Sequence, residues 1–460
     1  MKKIQPILLE RLISVVLAGT MALMPIIFFA ARLINNDYTF RCSMQLSLLC
    51  VTGLCVIALI ILCSVNDTRR YKISFPDIIV AALFVTAVIS CIFSTDNSKI
   101  TINNSFVGGA KSSEGLLALT AYYLIFAVAG YITDYKRKLT VLGVCIGAGA
   151  VSTLLGILQA AGVGGIFETT GTAVGVHGES YLFSSFCVLM FGIALGILVY
   201  GKRPAVRIAA LVLLGMFFAG TLLSYTTSGL LAIAVMLALG FILEGIRAFI
   251  NKGRFGGLMS VVAAIILCAG LSVICDGATG GKVFVVWREL GISKAVTYKE
   301  GLQLPWLWSQ LMDAFMQNSR FWFHGVGIDY LRAGSSGMFF TKAHNEFIQI
   351  MWTEGFIALG AYLVFCVTVL VKGVAAFFKN ASGRAVNPAS ASLLIAAAGY
   401  LTQSFFNVSA VDIAPLFWII CGFICTRRFS ASGVKTPVTN EVSAKLDEIK
   451  SQIDEINEQA

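Results

Sequence analysis

What most constrains this chain is the recurrence of apolar runs about 20 residues long with almost no charge inside them. A run of that length, wound as a helix rising ~1.5 Å per residue, crosses a hydrocarbon core of about 30 Å. Such runs lie near 12–31, 44–64, 76–94, 115–134, 139–161, 179–200, 206–223, 228–245, 257–275, 346–371, 390–410 and 412–426. Twelve membrane spans are expected. Helices are demanded, because lipid offers the backbone no hydrogen-bond partner and the runs lack the alternation of a membrane barrel. Composition agrees: 57% hydrophobic and 13% charged residues is more apolar surface than one soluble core buries. The expected fold class is an all-α polytopic membrane protein, its bundle covering 1–426. The chemistry is then sought in the few polar groups at or near bilayer depth.

Lysines and arginines set the orientation. With the N-terminus inside, Lys2, Lys3, Arg11, then Arg69, Arg70, Lys72, then Lys136, Arg137, Lys138, then Lys202, Arg203, Arg207, then Arg247, Lys252, Arg254, then Lys372, Lys379, Arg384, and finally Arg427, Arg428 share one side. The opposite short loops carry Arg32, Arg41, Lys99 and Lys111. The positive-inside rule therefore predicts cytoplasmic N- and C-termini. The net charge of +10 is mostly this topology signal. Its basic residues form many short clusters and no stripe, which gives no support to nucleic acid as a partner. The twelve cysteines fall mainly in the apolar runs without a CxxC pattern and read as small buried residues. The first apolar run is long enough to span and lacks a small-residue cleavage site, so no cleavable signal peptide is expected.

One external segment, 276–343, precedes the tenth helix and is far longer than the others. Long loops on a rigid scaffold are a usual place for function. Inside it, Pro305 starts a predicted amphipathic helix over 305–318, with Leu304, Trp308, Leu311 and Phe315 at helical spacing. That face suits either the membrane interface or the top of the bundle. The glycine-bearing stretch Arg320 to Tyr330 follows, and the loop returns to Lys342-Ala343-His344-Asn345-Glu346. A second external segment, 161–180, contains Glu168, His177 and Glu179. All three histidines are thus predicted outside. They share no i, i+3 or i+4 spacing and no Cys/His/Asp cluster, so neither a metal site nor a cofactor is expected. The cytoplasmic tail, 427–460, carries Val442, Leu446, Ile449, Ile453 and Ile456 in a short heptad pattern, predicting a helix over 441–458. A solvated helix and self-association both remain open for it.

The arrangement Trp308…Arg320…Gly325-x-Gly327…His344-Asn345-x-x-x-Gln349…Glu354-Gly355 resembles the O-antigen ligase and O-antigen polymerase superfamily, whose signature is a long external loop ending in a His-Asn pair. Gly108 to Leu117, with Lys111, Glu114 and Gly115, looks like the family's first external element. Gln403 to Ser409 looks like its late polar span. The resemblance implies a GT-C-like, lipid-dependent membrane glycosyltransferase of the bacterial cytoplasmic (inner) membrane, working in cell-surface polysaccharide biosynthesis. Such an enzyme moves a preassembled glycan from a polyprenyl diphosphate to an acceptor hydroxyl on a lipid, wall polymer or protein at the outer face. It inverts the anomeric carbon and uses no metal. By this resemblance His344 acts on the acceptor hydroxyl, as a neutral imidazole suits. Arg320 is the catalytic cation, since a departing diphosphate wants a fork-shaped partner. Arg332, Lys342, Asn345, Lys111 and Gln349 are the implied substrate-binding residues.

The chain departs from the family at Tyr225-Thr226-Thr227-Ser228-Gly229, where members carry an arginine, and at Leu304-Pro305 ahead of the loop tryptophan. Arg32, Lys111 and Arg288 are the cations available to compensate. A polyprenyl donor also calls for a laterally open, apolar-walled cavity between the 305–318 helix and the spans starting at Glu179 and Glu346. Other readings of the residues stay open. Arg320 also fits an interface anchor beside Phe321 and Trp322. His177 and His324 read as structural hydrogen-bonding groups. Glu346 and Glu354 suit pairing with Lys342 or a helix N-terminus, with Glu354 facing the bundle interior. Gln159, Gln403 and Asn407 are expected to bond between helices. At the level of the whole protein, a polymerase or protein O-oligosaccharyltransferase, a transporter of lipid-linked sugars and a non-catalytic assembly protein are the alternatives.

Overall fold

The computed structural model describes residues 6–35, 37–66, 73–94, 105–108, 113–163, 171–250, 255–288, 297–298, 302–329, 333–335, 338–340, 342–381 and 388–426. Their helices are α1 (Pro6–Ile34), α2 (Tyr38–Asn66), α3 (Phe75–Ile92), α4 (Leu116–Ala129), α5 (Tyr135–Ala160), α6 (Ser180–Tyr200), α7 (Pro204–Leu223), α8 (Thr227–Ile250), α9 (Gly256–Ala278), α10 (Lys282–Arg288), α11 (Leu304–Met316), α12 (Phe321–His324), α13 (Glu346–Ala381), α14 (Pro388–Ser404) and α15 (Ala414–Ile424). Two antiparallel ribbons decorate the long loop, Thr297–Tyr298 with Leu302–Gln303 and Ala333–Ser335 with Met338–Phe340. Among the described residues nine helices are long and apolar enough to cross a membrane, which makes this a multi-pass membrane protein. The expected spans at 115–134, 390–410 and 412–426 are shorter than predicted. α4 stops at Gly130 because Asp134 opens the next helix, accepting from Lys136 N at 2.9 Å. α14 ends at Ser404, and α15 is 11 residues long. The heptad helix expected over 441–458 lies outside the described residues.

Successive helices run toward and away from one end of the bundle, where the long loop sits. Arg32 at the end of α1 reaches Gly175 O at 3.4 Å, and Gln159 at the end of α5 reaches the same carbonyl at 3.0 Å. At the start of α13, Asn345 reaches Phe405 O, just past α14, at 3.1 Å. The predicted helix over 305–318 is α11, and it packs on the bundle. Its Leu304, Leu307, Leu311 and Phe315 are buried against Val326, Ala343, Met351 and Trp352. Trp308 Nε1 donates to Ala343 O at 3.0 Å, which points that indole inward.

α13 is not the continuous span expected over 346–371. At Gly355 the backbone leaves the helix (φ 90°, ψ 179°), and the chain resumes as a helix beyond it. The carbonyls released there cannot turn to lipid, so they need partners from protein. Val326 N donates to Trp352 O at 3.0 Å, Gly327 N to Thr353 O at 3.1 Å, and Ser90 Oγ of α3 to Thr353 O at 2.6 Å. The approach requires glycine on both sides. A Cβ at Gly325 would lie 2.2 Å from Thr353 backbone, and one at Gly355 would lie 2.6 Å from Phe323 backbone. The external loop is therefore stitched into the broken helix.

α6 is the central helix, with 94% of its apolar window buried, against 28% for α9 at the periphery. Without a hydrophobic drive between helices in lipid, close backbone approach through small residues is what holds such pairs. Here Gly192 and Gly196, one turn apart on α6, face Ala396 and Ser392 of α14, and Ser392 Oγ donates to Ile193 O at 3.1 Å. A Cβ at Gly196 would fall 2.4 Å from Ser392 Cα. Gly196→Val is therefore expected to force the helices apart and lower the thermal unfolding midpoint in detergent, at a cost of at least about 1–3 kcal/mol. Gly143→Ala on α5, where a Cβ meets nothing within 4 Å, is the control and should leave the midpoint unchanged or slightly raised.

Candidate functional site

His344 sits one residue ahead of the cap of α13, and its neighbours explain why it stays there. The preceding residue is clamped on both sides, with Ala343 N donating to Gln349 Oε1 at 2.8 Å and Ala343 O accepting from Trp308. The following residue caps the helix: Asn345 Oδ1 accepts from Phe347 N and Ile348 N, both at 3.0 Å. Between these fixed points His344 adopts a left-handed backbone (φ 48°). Its ring is largely buried and meets Tyr181 of α6 edge-on at 5.8 Å.

Lys342, two residues earlier, is the cation of the site. Its Nζ lies 2.7 Å from Glu114 Oε2 and 2.8 Å from Asp329 Oδ1. Ser113, beside Glu114, and Asp329 are also left-handed, each at φ 53°. Of the four non-glycine residues with positive φ among those described, three thus surround one ammonium group, and Tyr225 is the fourth. Such conformations cost about 1–3 kcal/mol each and persist where the surroundings over-determine them.

Burial and the nearby Lys342 charge lower the His344 imidazole from its ordinary value to about 4, so it is neutral at physiological pH. Burial pushes Glu114 up to about 7, against the pull of Lys342 and with the help of Asp329. Burial opposes the charge of Lys342, but Asp329 and Glu114 outweigh it and hold the ammonium above its ordinary value. Two carboxylates on one ammonium leave an excess negative charge when all are ionised, and Glu114 is the member poised to take the proton. A neutral His344 can accept a proton from a hydroxyl or hydrogen-bond to it.

A cavity of about 70 Å³ opens beside this cluster, lined by Glu114, Asp329, Lys342, Glu346, Gln349 and Glu354 among polar residues. It lies between α3, α4 and α13. A separate cavity of about 10 Å³, enough for a single water, lies among Ser185, Glu346, Tyr400, Gln403 and Asn407.

Lys342, His344, Asn345 and Gln349 therefore come together, while Arg320 is exposed at the start of α12, and no hydrogen bond or ion pair joins it to His344 or Lys342. Lys111 and Arg332 lie outside the described residues. Glu346 does not pair with Lys342; it accepts from Tyr362 OH at 2.8 Å. Glu354 is buried and faces the cavity, as its depth demanded. Gln159 and Asn407 bond between segments, the latter to Ser185 Oγ at 2.8 Å, whereas Gln403 makes no such bond among the described residues. His324 Nδ1 lies 2.7 Å from Gly325 O. His177 is buried with its Nδ1 2.5 Å from Asp412 Oδ2, a carboxylate partner that nothing near it in sequence announces. Asp329 was missed as a site residue, though it stands two positions after Gly327; Glu114 appeared in a motif without a role.

The raised Glu114 value has a measurable sign. A carboxyl whose folded pKa lies above its ordinary 4.5 contributes stability that is present at low pH and lost as pH rises toward about 7. Wild-type protein in detergent should therefore lose stability between about pH 4.5 and 7, on the order of 3 kcal/mol from this group. Glu114→Gln should flatten that slope in thermal unfolding across the same range. An unchanged slope would remove Glu114 as its source.

Comparison with known proteins finds no family model and no curated protein that matches this chain.

Proposed function

We propose that this protein transfers a preassembled glycan from a polyprenyl diphosphate to an acceptor hydroxyl at the outer face of the bacterial cytoplasmic membrane, in the manner of O-antigen ligases. In this reading the nine long and three shorter apolar helices are twelve passes with cytoplasmic termini. The lipid bilayer, a lipid-linked donor and an acceptor lipid, wall polymer or protein are its partners. The observation that carries the reading is His344: a neutral, left-handed, largely buried histidine held between two clamped residues at the membrane edge, beside a fixed cation. His344 is neutral and fixed in position, and because the lowering to about 4 also makes it a weak base, it takes the proton only as the new carbon–oxygen bond forms and the hydroxyl becomes acidic.

In this mechanism His344 accepts the acceptor's hydroxyl proton as the oxygen attacks the anomeric carbon from the face opposite the diphosphate. The glycosidic bond to the carrier breaks with its electron pair on the phosphate. Lys342 is already held by two carboxylates, so the diphosphate charge is assigned to Arg320 at the exposed start of α12. Gln349, Trp308 and Asn345 act through His344 as positioning residues.

A transporter of lipid-linked sugars is the second reading, and the break in α13 at Gly355 favours it, since discontinuous helices near mid-bundle mark substrate sites in carriers. Glycan transfer and glycan passage separate in reconstituted vesicles. A fluorescent lipid-linked glycan that moves between leaflets with no new glycosidic bond supports the carrier.

His344→Ala should lower transfer by roughly 10²–10⁴-fold at equal protein in the membrane. With the imidazole near 4, the wild-type rate should show no loss on acidification through pH 6.5, where an ordinary histidine titrates. A mutant retaining more than about a tenth of the rate sinks the assignment.

Arg320→Lys preserves charge and removes the bidentate fork. It is expected to weaken donor use more than acceptor use in separate titrations. Equal donor curves for the two proteins would return Arg320 to an interface anchor.

A further inference from the structure

We propose that the trough between α1 and α5 binds one acyl chain of an anionic glycerophospholipid, with the lipid's phosphate beside Arg32. The trough is a cavity of about 440 Å³, walled by Ala22, Pro25, Ile26 and Phe29 of α1 and by one face of α5 from Val144 to Leu155. Val176, from the segment ahead of α6, lines it as well. The two helices leave this space for a local reason. Pro25 lies inside α1 and brings no N–H to its hydrogen-bond ladder, and α5 contributes Gly147 and Ala148 to the same lining. No long side chain fills the gap, and a Cβ at Gly147 would meet nothing within 4 Å. The rim opens sideways, where Ile26 is 59% and Val151 63% exposed.

The lining and its length select the occupant. Except for Ser152 the lining side chains are apolar, so water finds no partners there and hydrocarbon does. From Val144 to Leu155 α5 rises roughly 16 Å at ~1.5 Å per residue. A hydrocarbon core of about 30 Å gives each leaflet about half that thickness, so the trough matches one leaflet. An acyl chain is built to that depth, whereas a much longer polyprenyl chain would overrun it.

Arg32 sets the headgroup end. It stands three residues after Phe29 and seven after Pro25, so it continues the trough's face of α1. Its Nη1 donates to Gly175 O at 3.4 Å, and Gly175 adjoins Val176 of the lining. Gln159, one turn beyond Leu155 on α5, donates to the same carbonyl at 3.0 Å. Both walls thus meet at one corner, on the side of the long loop, with the guanidinium at the mouth. Arg41 of α2 adds a second cation near this end, over the Phe28 ring at 5.1 Å. Asp37, in the turn between α1 and α2, accepts from Thr39 N at 3.1 Å, and Asp412 faces His177. A guanidinium fork fits phosphate oxygens, and net negative charge on the lipid adds to the attraction. This lipid is neither donor nor acceptor, and its site holds whether or not the protein transfers glycans.

The test uses the full chain, washed with lipid-free detergent and then offered phosphatidylglycerol and phosphatidylcholine with identical acyl chains in equal amounts. Native mass spectrometry counts the lipids each protein retains. One phosphatidylglycerol per protein is expected, favoured about fivefold over phosphatidylcholine, the preference one arginine supplies at a membrane surface. Arg32→Gln should bring that preference to near parity. Gly147→Leu fills the trough from a position where a Cβ meets no protein atom, and it should abolish retention of both lipids. Equal retention of the two lipids by the wild type overturns the proposal, as does a bound lipid that survives Gly147→Leu. A wild-type dimer that Gly147→Leu converts to a monomer, with lipid retention unchanged, also overturns it, since a second copy then covers the trough. Should Arg32→Gln fail to fold, the wild-type preference and Gly147→Leu decide.

Discussion

A helix broken inside a membrane must hand its freed carbonyls to something other than lipid, and the arrangement of this site follows from how α13 does so. Thr353 O receives Ser90 of α3 and Gly327 of the external loop, and Trp352 O receives Val326. Those bonds fix the loop two residues before Asp329. Asp329 in turn holds Lys342, and Lys342 is two residues from His344. Remove the break and the turn that carries Asp329 loses these backbone anchors, so the charged cluster and the histidine lose part of their shared frame. The break is thus structural in origin and chemical in consequence.

The cluster it organises is held together by charge more than it is stabilised by it. Buried ion pairs barely offset the desolvation of their members, yet losing one partner costs about 3–5 kcal/mol because the other is stranded. Lys342 joined to Glu114 and Asp329 therefore behaves as a register pin. It ties the segment before α4, the turn after Gly327 and the approach to α13 into one arrangement, and wrong pairings of those segments leave a bare charge indoors.

Much of this was legible in sequence. Apolar run length gave the helices of the bundle, because the demand for internal backbone hydrogen bonding leaves no other choice for such runs. The spacing of Leu304, Leu311 and Phe315 gave α11, although the pattern could not say whether lipid or protein covered that face. The His344-Asn345 pair and its Gln349 partner stood out because polarity at a span boundary is conspicuous. The rest was hidden for physical reasons. The break at Gly355 depends on a loop 28 residues earlier, and hydropathy averages straight across a single glycine. The partners of Lys342 come from |i−j| of 228 and 13, and no local pattern encodes which carboxylate an ammonium will find. Asp412 and His177 are 235 positions apart for the same reason. Arg320 shows its charge and its motif position in sequence, and its exposure at the start of α12 only in the fold.

The glycine seam between α6 and α14 bears on how the protein is made. Ser392 Oγ meets Ile193 O across 199 positions of chain, so α6 leaves the ribosome long before the helix that covers its small-residue face exists. During that interval the most enclosed helix of the finished bundle lies against early neighbours or lipid, and its final place must be kept open for a late arrival. A chain halted before α14 would leave the small-residue face of α6 without the helix that packs on it in the finished bundle.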